Sequence, residues 1–114
     1  MKHLKLVINN TTSEKKDFFF NKSELKLILN LYAKMVSGGE WKDYSLSISK
    51  KEVSFNVYRK ASEIPSYIIS KNLKPVRQNE KYLIKDGQNK IINKSENLES
   101  LIKKIIWRKF KLVN

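Results

Sequence analysis

Phe20-Asn-Lys-Ser-Glu-Leu-Lys-Leu-Ile-Leu-Asn-Leu-Tyr-Ala-Lys-Met-Val-Ser-Gly-Gly-Glu-Trp-Lys-Asp-Tyr44, running on through Ser45-Leu-Ser-Ile-Ser-Lys-Lys-Glu-Val-Ser-Phe-Asn-Val-Tyr58, is the stretch from which the fold is read. Its first half predicts one amphipathic helix. Asn21 is a good N-cap and Glu24 stands three residues on, as in a capping box, while Phe20 and Leu25 take the two positions of a hydrophobic staple. Leu25, Ile28, Leu29, Tyr32, Met35 and Val36 recur at helical spacing and predict the buried face, which Leu27 and Leu31 widen. So wide a stripe predicts cover from two directions, by a sheet and by a second element or subunit. Gly38-Gly39 ends the helix, because glycine takes the left-handed cap conformation without steric cost.

The second half alternates. Tyr44, Leu46 and Ile48 are interleaved with serines, and Val53, Phe55 and Val57 with Ser54, Asn56 and Tyr58, so a turn at Ser49 to Glu52 makes an antiparallel hairpin. Outward from it, Pro65 marks a break and Tyr67-Ile68-Ile69 reads as a third strand. Ser70 to Lys81, polar and basic with Pro75 inside, reads as a long exposed loop. Tyr82-Leu-Ile84 and Ile91-Ile92 flank Asp86-Gly87, a hairpin turn signal. Ser95 is the expected cap of a second helix, with Leu98, Leu101, Ile102, Ile105, Ile106 and Leu112 on its broad face, Glu96 and Glu99 early and Lys103, Lys104, Arg108, Lys109 and Lys111 late, as the helix dipole favours. Trp107 and Phe110 make this helix resemble a membrane-surface helix, but an ordinary core helix with a cationic outer side is the better reading, because the sheet needs a cover. On the N-terminal side, residues 1–17 read as a flexible or short-strand lead-in, with Leu4 to Ile8 as the strand. Phe18-Phe19-Phe20 either plugs the core edge or offers a docking patch. The expected architecture is a single α+β domain over residues 18–114. It has an antiparallel sheet of about five strands, an N-terminal and a C-terminal helix on one face, and a wet serine-rich face.

At 114 residues the chain can bury roughly two thirds of its unfolded surface in one core. It has no cysteine, which excludes disulfides, cysteine nucleophiles and thiolate metal sites and points to a reducing cytoplasm. His3 is its one histidine, so neither a histidine metal site nor a Ser-His-Asp triad is expected. No apolar run reaches the roughly 18–20 residues of a membrane span, and the N-terminus does not read as a secretory signal. The formal charge of +13 invites a polyanion. Lysine carries most of it, however, with arginine only at Arg59, Arg77 and Arg108, and a chain rich in Lys, Ile and Asn also reflects an AT-rich genome.

The Phe20–Tyr44 run, together with Val53-Ser-Phe-Asn-Val-Tyr-Arg-Lys-Ala-Ser-Glu-Ile-Pro-Ser-Tyr67, resembles a family of short alphaproteobacterial proteins catalogued as domain of unknown function 2794. The resemblance spans roughly Phe18 to Ile105 and is sharpest at Gly-Glu-Trp-Lys-Asp-Tyr and at Arg-Lys-Ala-Ser-Glu-x-Pro. Lys42 and Lys60 depart from it, standing where arginine is common. It implies a bacterial cytoplasmic protein and supplies no activity, ligand or catalytic residue.

Two constellations could carry chemistry. If the first hairpin pairs as expected, Glu40, Trp41 and Asp43 meet Tyr58, Arg59 and Lys60 at one end of the sheet. That is either a polar pocket, with Arg59 gripping an anion and Trp41 or Tyr58 stacking, or a corner where Arg59 pairs with Asp43 or Glu40. The second is the basic band Lys71, Lys74, Arg77, Lys81, Lys85, Lys90 and Lys94, interleaved with Tyr67 and Tyr82. Lysines among aromatics suit single-stranded nucleic acid, and lysines also blunt a sheet edge. No catalytic constellation, cofactor or metal site is expected. The expected function is a non-enzymatic module for an anionic partner such as RNA or DNA. Its rival is a protein-interaction or homodimeric assembly module using Phe18 to Phe20 and the Leu27/Leu31 flank.

Overall fold

The capping signals act where they stand. In the computed structural model, helix α1 runs Lys22–Ser37. Asn21 Oδ1 accepts from the Glu24 N–H at 2.8 Å and Glu24 Oε1 accepts from the Asn21 N–H at 2.7 Å, a closed capping box. At the other end Gly39 adopts φ 78°, and the N–H groups of Gly39 and Glu40 return to Val36 O and Met35 O at 3.0 and 2.8 Å. This is a Schellman stop. The buried face is rotated from the expected one. Its spine is Glu24, Ile28, Leu31 and Met35, while Leu29 and Val36 are 40 % and 41 % exposed. The apolar stripe is wide enough for either rotation, and the contacts of Glu24 described below select the one that turns Glu24 inward.

The described residues are 19–60 and 64–104. The lead-in over residues 1–17, Phe18, Ala61, Ser62 and Glu63, and the second helix beyond residue 104 with Trp107 and Phe110 lie outside them. Five strands form one antiparallel meander in chain order: β1 (Asp43–Ile48), β2 (Glu52–Tyr58), β3 (Tyr67–Asn72), β4 (Tyr82–Asp86) and β5 (Ile91–Ser95). The first hairpin has the expected register, with Leu46 opposite Phe55 and Ile48 opposite Val53. Val53, Phe55, Val57, Ile69 and Ile84 share the core face, and α1 lies on it, its Tyr32 ring 4.9 Å from Tyr44 and 5.9 Å from Phe55. Ser70 and Lys71 are not loop. They extend β3, and the link contracts to 73–81 around a 3-10 turn at Gln78–Glu80.

The second helix, α2, occupies 98–104 among the described residues, and Leu98, Leu101 and Ile102 join the same buried cluster. Its cap is Asn97, not Ser95: the Ser100 N–H donates to Asn97 Oδ1 at 3.0 Å, while Ser95 closes β5. The serine face is not wet at its centre, because Ser54, Asn56 and Ser70 are buried beside Ile68 and Leu83. Burial costs these groups little, since they satisfy one another. Ser54 and Ser70 share a 2.9 Å hydrogen bond, and Asn56 Nδ2 donates to Ser45 and Ser47. At the second hairpin, a Cβ on Gly87 would run into Pro65 O and Ile64 Cγ2, so that position requires glycine.

Candidate functional site

An antiparallel meander puts alternate turns at the same end. Here the 49–52 turn and the 73–81 link share one, and one backbone hydrogen bond joins them while another closes the base of the link. The Leu73 N–H donates to Lys51 O at 2.8 Å and the Asn72 N–H to Lys81 O at 2.7 Å. Ser49 Oγ holds the turn itself by accepting from the Lys51 and Glu52 N–H groups at 3.2 and 3.1 Å. Within the link and the end of β3 lies an open depression of about 400 Å³ lined by Lys71, Asn72, Leu73, Pro75, Gln78 and Lys81.

Behind this depression sits a buried cluster. Glu24, 5 % exposed, accepts from Lys71 Nζ at 2.9 Å through Oε1 and from the Tyr82 hydroxyl through Oε2. Lys71 Nζ also donates to Phe19 O at 3.4 Å. Burial acts to raise the Glu24 pKa. The hydrogen bonds from Tyr82, the Asn21 N–H and Lys71, with the lysine's charge, overrule it and hold the carboxyl below its ordinary value. Burial first, then the hydrogen bond and charge of Glu24, push the Tyr82 hydroxyl up.

The basic band is therefore divided. Lys71 pairs with Glu24 at 2.9 Å, Lys85 with Glu52 at 3.2 Å and Lys94 with Glu80 at 3.5 Å. Lys50, Lys51, Lys74 and Arg77 are exposed, and Lys81 is half-buried with its Nζ 5.5 Å from the Tyr82 ring centroid. None of these five takes part in an ion pair among the described residues. Lys50 and Lys51 were absent from the band read along the sequence. The signal for them was the meander itself, which places their turn beside Lys74. The tyrosines offer no stacking platform: Tyr82 is buried under Glu24, and Tyr67 is half-buried with its ring 6.5 Å from that of Trp41.

At the opposite end, Asp43 pairs with Tyr58 and the Lys42 N–H donates to Tyr58 O at 2.7 Å, so Glu40, Trp41 and Asp43 do meet Tyr58, Arg59 and Lys60. The meeting shows neither a stacking face on Trp41 nor an Arg59 ion pair among the described residues. Trp41 is 1 % exposed, a core side chain with no face for a ligand, and its Nε1 has no hydrogen-bond partner among the described residues. Asp43 Oδ1 accepts from the Tyr44 N–H at 2.8 Å, and the Tyr58 hydroxyl lies 3.1 Å from Ser45 Oγ. Arg59 and Lys60 are exposed, and no ion pair joins Arg59 to Glu40 or Asp43 among the described residues.

Among the described residues no group of histidine, cysteine, aspartate and glutamate is arranged to hold a metal ion. Among them, too, no helix is long and apolar enough to cross a membrane. A family model described as "Protein of unknown function (DUF2794)" matches residues 18–102. No curated protein and no solved structure matches the chain.

Proposed function

The chain belongs to the DUF2794 family, and on that premise we propose that it is a non-enzymatic cytoplasmic module that binds the phosphate backbone of RNA or DNA. One observation carries the reading: Lys50, Lys51, Lys74, Arg77 and Lys81 lie on the turn and the link at one end of the sheet, where Lys81 lines a polar depression, while Glu24, Glu52 and Glu80 are taken up by other lysines. Lysines accumulated by composition alone would have no reason to converge. Placing both helices on the core face, a reading supported by Leu98, Leu101 and Ile102 joining the buried cluster beneath α1, leaves the loop end to a partner. Binding through charge, without an exposed aromatic platform, is indifferent to base sequence.

The test is a titration of the full chain against single-stranded and duplex oligonucleotides at 50 and 200 mM salt. Five phosphate contacts give a duplex slope of about −4.5 in log K against log salt, a loss of roughly 10²–10³ in affinity over that range. Absence of binding at the lower salt removes the proposal.

A second reading, self-assembly, is favoured by the exposed Leu29, Val36 and Ile48. It cannot use the Leu31 side of the helix, because Leu31 is core.

A further inference from the structure

The two edges of the sheet are protected differently. Strand β5 carries Lys94 and is irregular where it meets β4, with a register shift at Ile84/Lys85. Charges and bulges of that kind discourage edge-to-edge pairing. Strand β1, Asp-Tyr-Ser-Leu-Ser-Ile, pairs with β2 without a break and holds no lysine, proline or bulge. Ile48 on it is 45 % exposed. Beside it, α1 presents Leu25 and the exposed Leu29, and Leu25 shares an apolar depression with Phe19, Leu46 and Ile48.

The hydrogen bonds of β1 state which of its groups face outward. Ser49 and Glu52 form a hydrogen-bonded pair, since the Ser49 N–H donates to Glu52 O at 2.9 Å. By antiparallel alternation Ser47, Ser45 and Asp43 point their backbone groups at β2, and Tyr44, Leu46 and Ile48 point theirs away. The Tyr44 N–H is already taken by Asp43 Oδ1. The outer ladder is thus left with the N–H and C=O groups of Leu46 and Ile48 and the C=O of Tyr44.

We infer that β1 pairs antiparallel with β1 of a second copy of this chain, about a two-fold axis at Ser47. In this register Leu46 faces the partner's Ile48 and Ile48 the partner's Leu46, so four hydrogen bonds satisfy the N–H and C=O groups of both residues, and the Tyr44 C=O stands opposite the partner's Lys50. The register centred on Leu46 is disfavoured because it needs the Tyr44 N–H. Pairing about Ser47 keeps apolar side chains on the helix face, brings the Leu29 flanks of the two α1 helices together, and carries each Asp43 carboxylate towards the partner's Lys50–Lys51 turn. That charge match and the self-complementary ladder commit the surface to a second copy.

Ser47 then meets its own counterpart in a non-hydrogen-bonded pair with Cα atoms about 4.5 Å apart, within disulfide reach. The Ser45 pair is separated by about four residues of strand, more than ~10 Å. The chain has no native cysteine, so Ser47→Cys and Ser45→Cys report cleanly, and each serine accepts the same kind of bond from Asn56. Mild oxidation of the full-length variants should give covalent dimer at least tenfold faster for Ser47→Cys. The unaltered chain should sediment as a dimer and Ile48→Lys as a monomer with unchanged circular dichroism. A monomeric unaltered chain at high micromolar concentration, or equal rates for the two cysteines, overturns the inference. Should Ile48→Lys fold poorly, the cysteine comparison still decides.

Discussion

The two ends of the sheet use their carboxylates in different ways. At the loop end, Glu24, Glu52 and Glu80 are each held by a lysine, so the acids neutralise one part of the basic band and leave another part concentrated around a depression. At the end bearing Gly39 and Gly87, Asp43 and Asp86 are held by backbone N–H groups. Asp86 Oδ1 accepts from Gln88 and Lys90 at 2.8 and 2.9 Å, and those bonds lower its pKa. Acids held by the backbone form no ion pair with the exposed Arg59 and Lys60 among the described residues. What matters for a polyanion is therefore less the total of +13 than which lysines the acids remove from play.

The largest expected effect sharpens the loop end. Glu24→Ala opens the capping box and leaves Lys71 and the Tyr82 hydroxyl buried without their acceptor. Chemical denaturation should show a loss of about 3–5 kcal/mol. A loss below ~1 kcal/mol would mean that this cluster does not hold the helix to β3 and β4. Next, at the other end, Gly87→Ala pushes a methyl group against the Pro65 carbonyl and should cost about 1–3 kcal/mol by the same assay.

Third comes a direct contest between the ends. Lys74→Glu with Arg77→Glu changes net charge by as much as Arg59→Glu with Lys60→Glu. The first pair should weaken oligonucleotide binding at least tenfold, about 1.4 kcal/mol, and the second by no more than about twofold. Equal losses would reduce the comparison to bulk charge.

The smallest effect is in pH. Because folding lowers the Glu24 pKa, its contribution is fully present above the ordinary value of 4.5 and is lost as pH falls through the folded value. Glu24→Gln should therefore show a shallower loss of stability on acidification below pH 4.5. Tyr82 is the opposite case, a neutral hydroxyl favoured by the fold. Stability should fall above its ordinary pKa of 10.0, where the unfolded chain ionises first, and Tyr82→Phe should make that fall shallower, the rest coming from Tyr32 and Tyr44, whose hydroxyls burial also pushes up.

Element by element, the chain was legible where the signal is local. The capping box, the double-glycine stop and the 46/55 hairpin register each depend on residues within a few positions or on strict alternation, and each formed as read. The rotation of α1 was not legible, because its stripe runs wide and a glutamate read as a cap gives no sign that it also faces a lysine and a tyrosine 47 and 58 residues away. Trp41 misled for a related reason: an indole beside charged residues looks like a binding group until the Tyr32 and Tyr67 rings enclose it.

By itself the sequence determined an α+β meander with its hairpin turns and both ends of α1, because turn chemistry and periodicity are short-range properties of the backbone. Only the tertiary structure decided which lysines remain charged towards solvent, since pairing with a distant acid is a property of packing. It also decided that Leu31 is core and Leu29 surface, a choice that two equally apolar helix faces leave to the elements they meet.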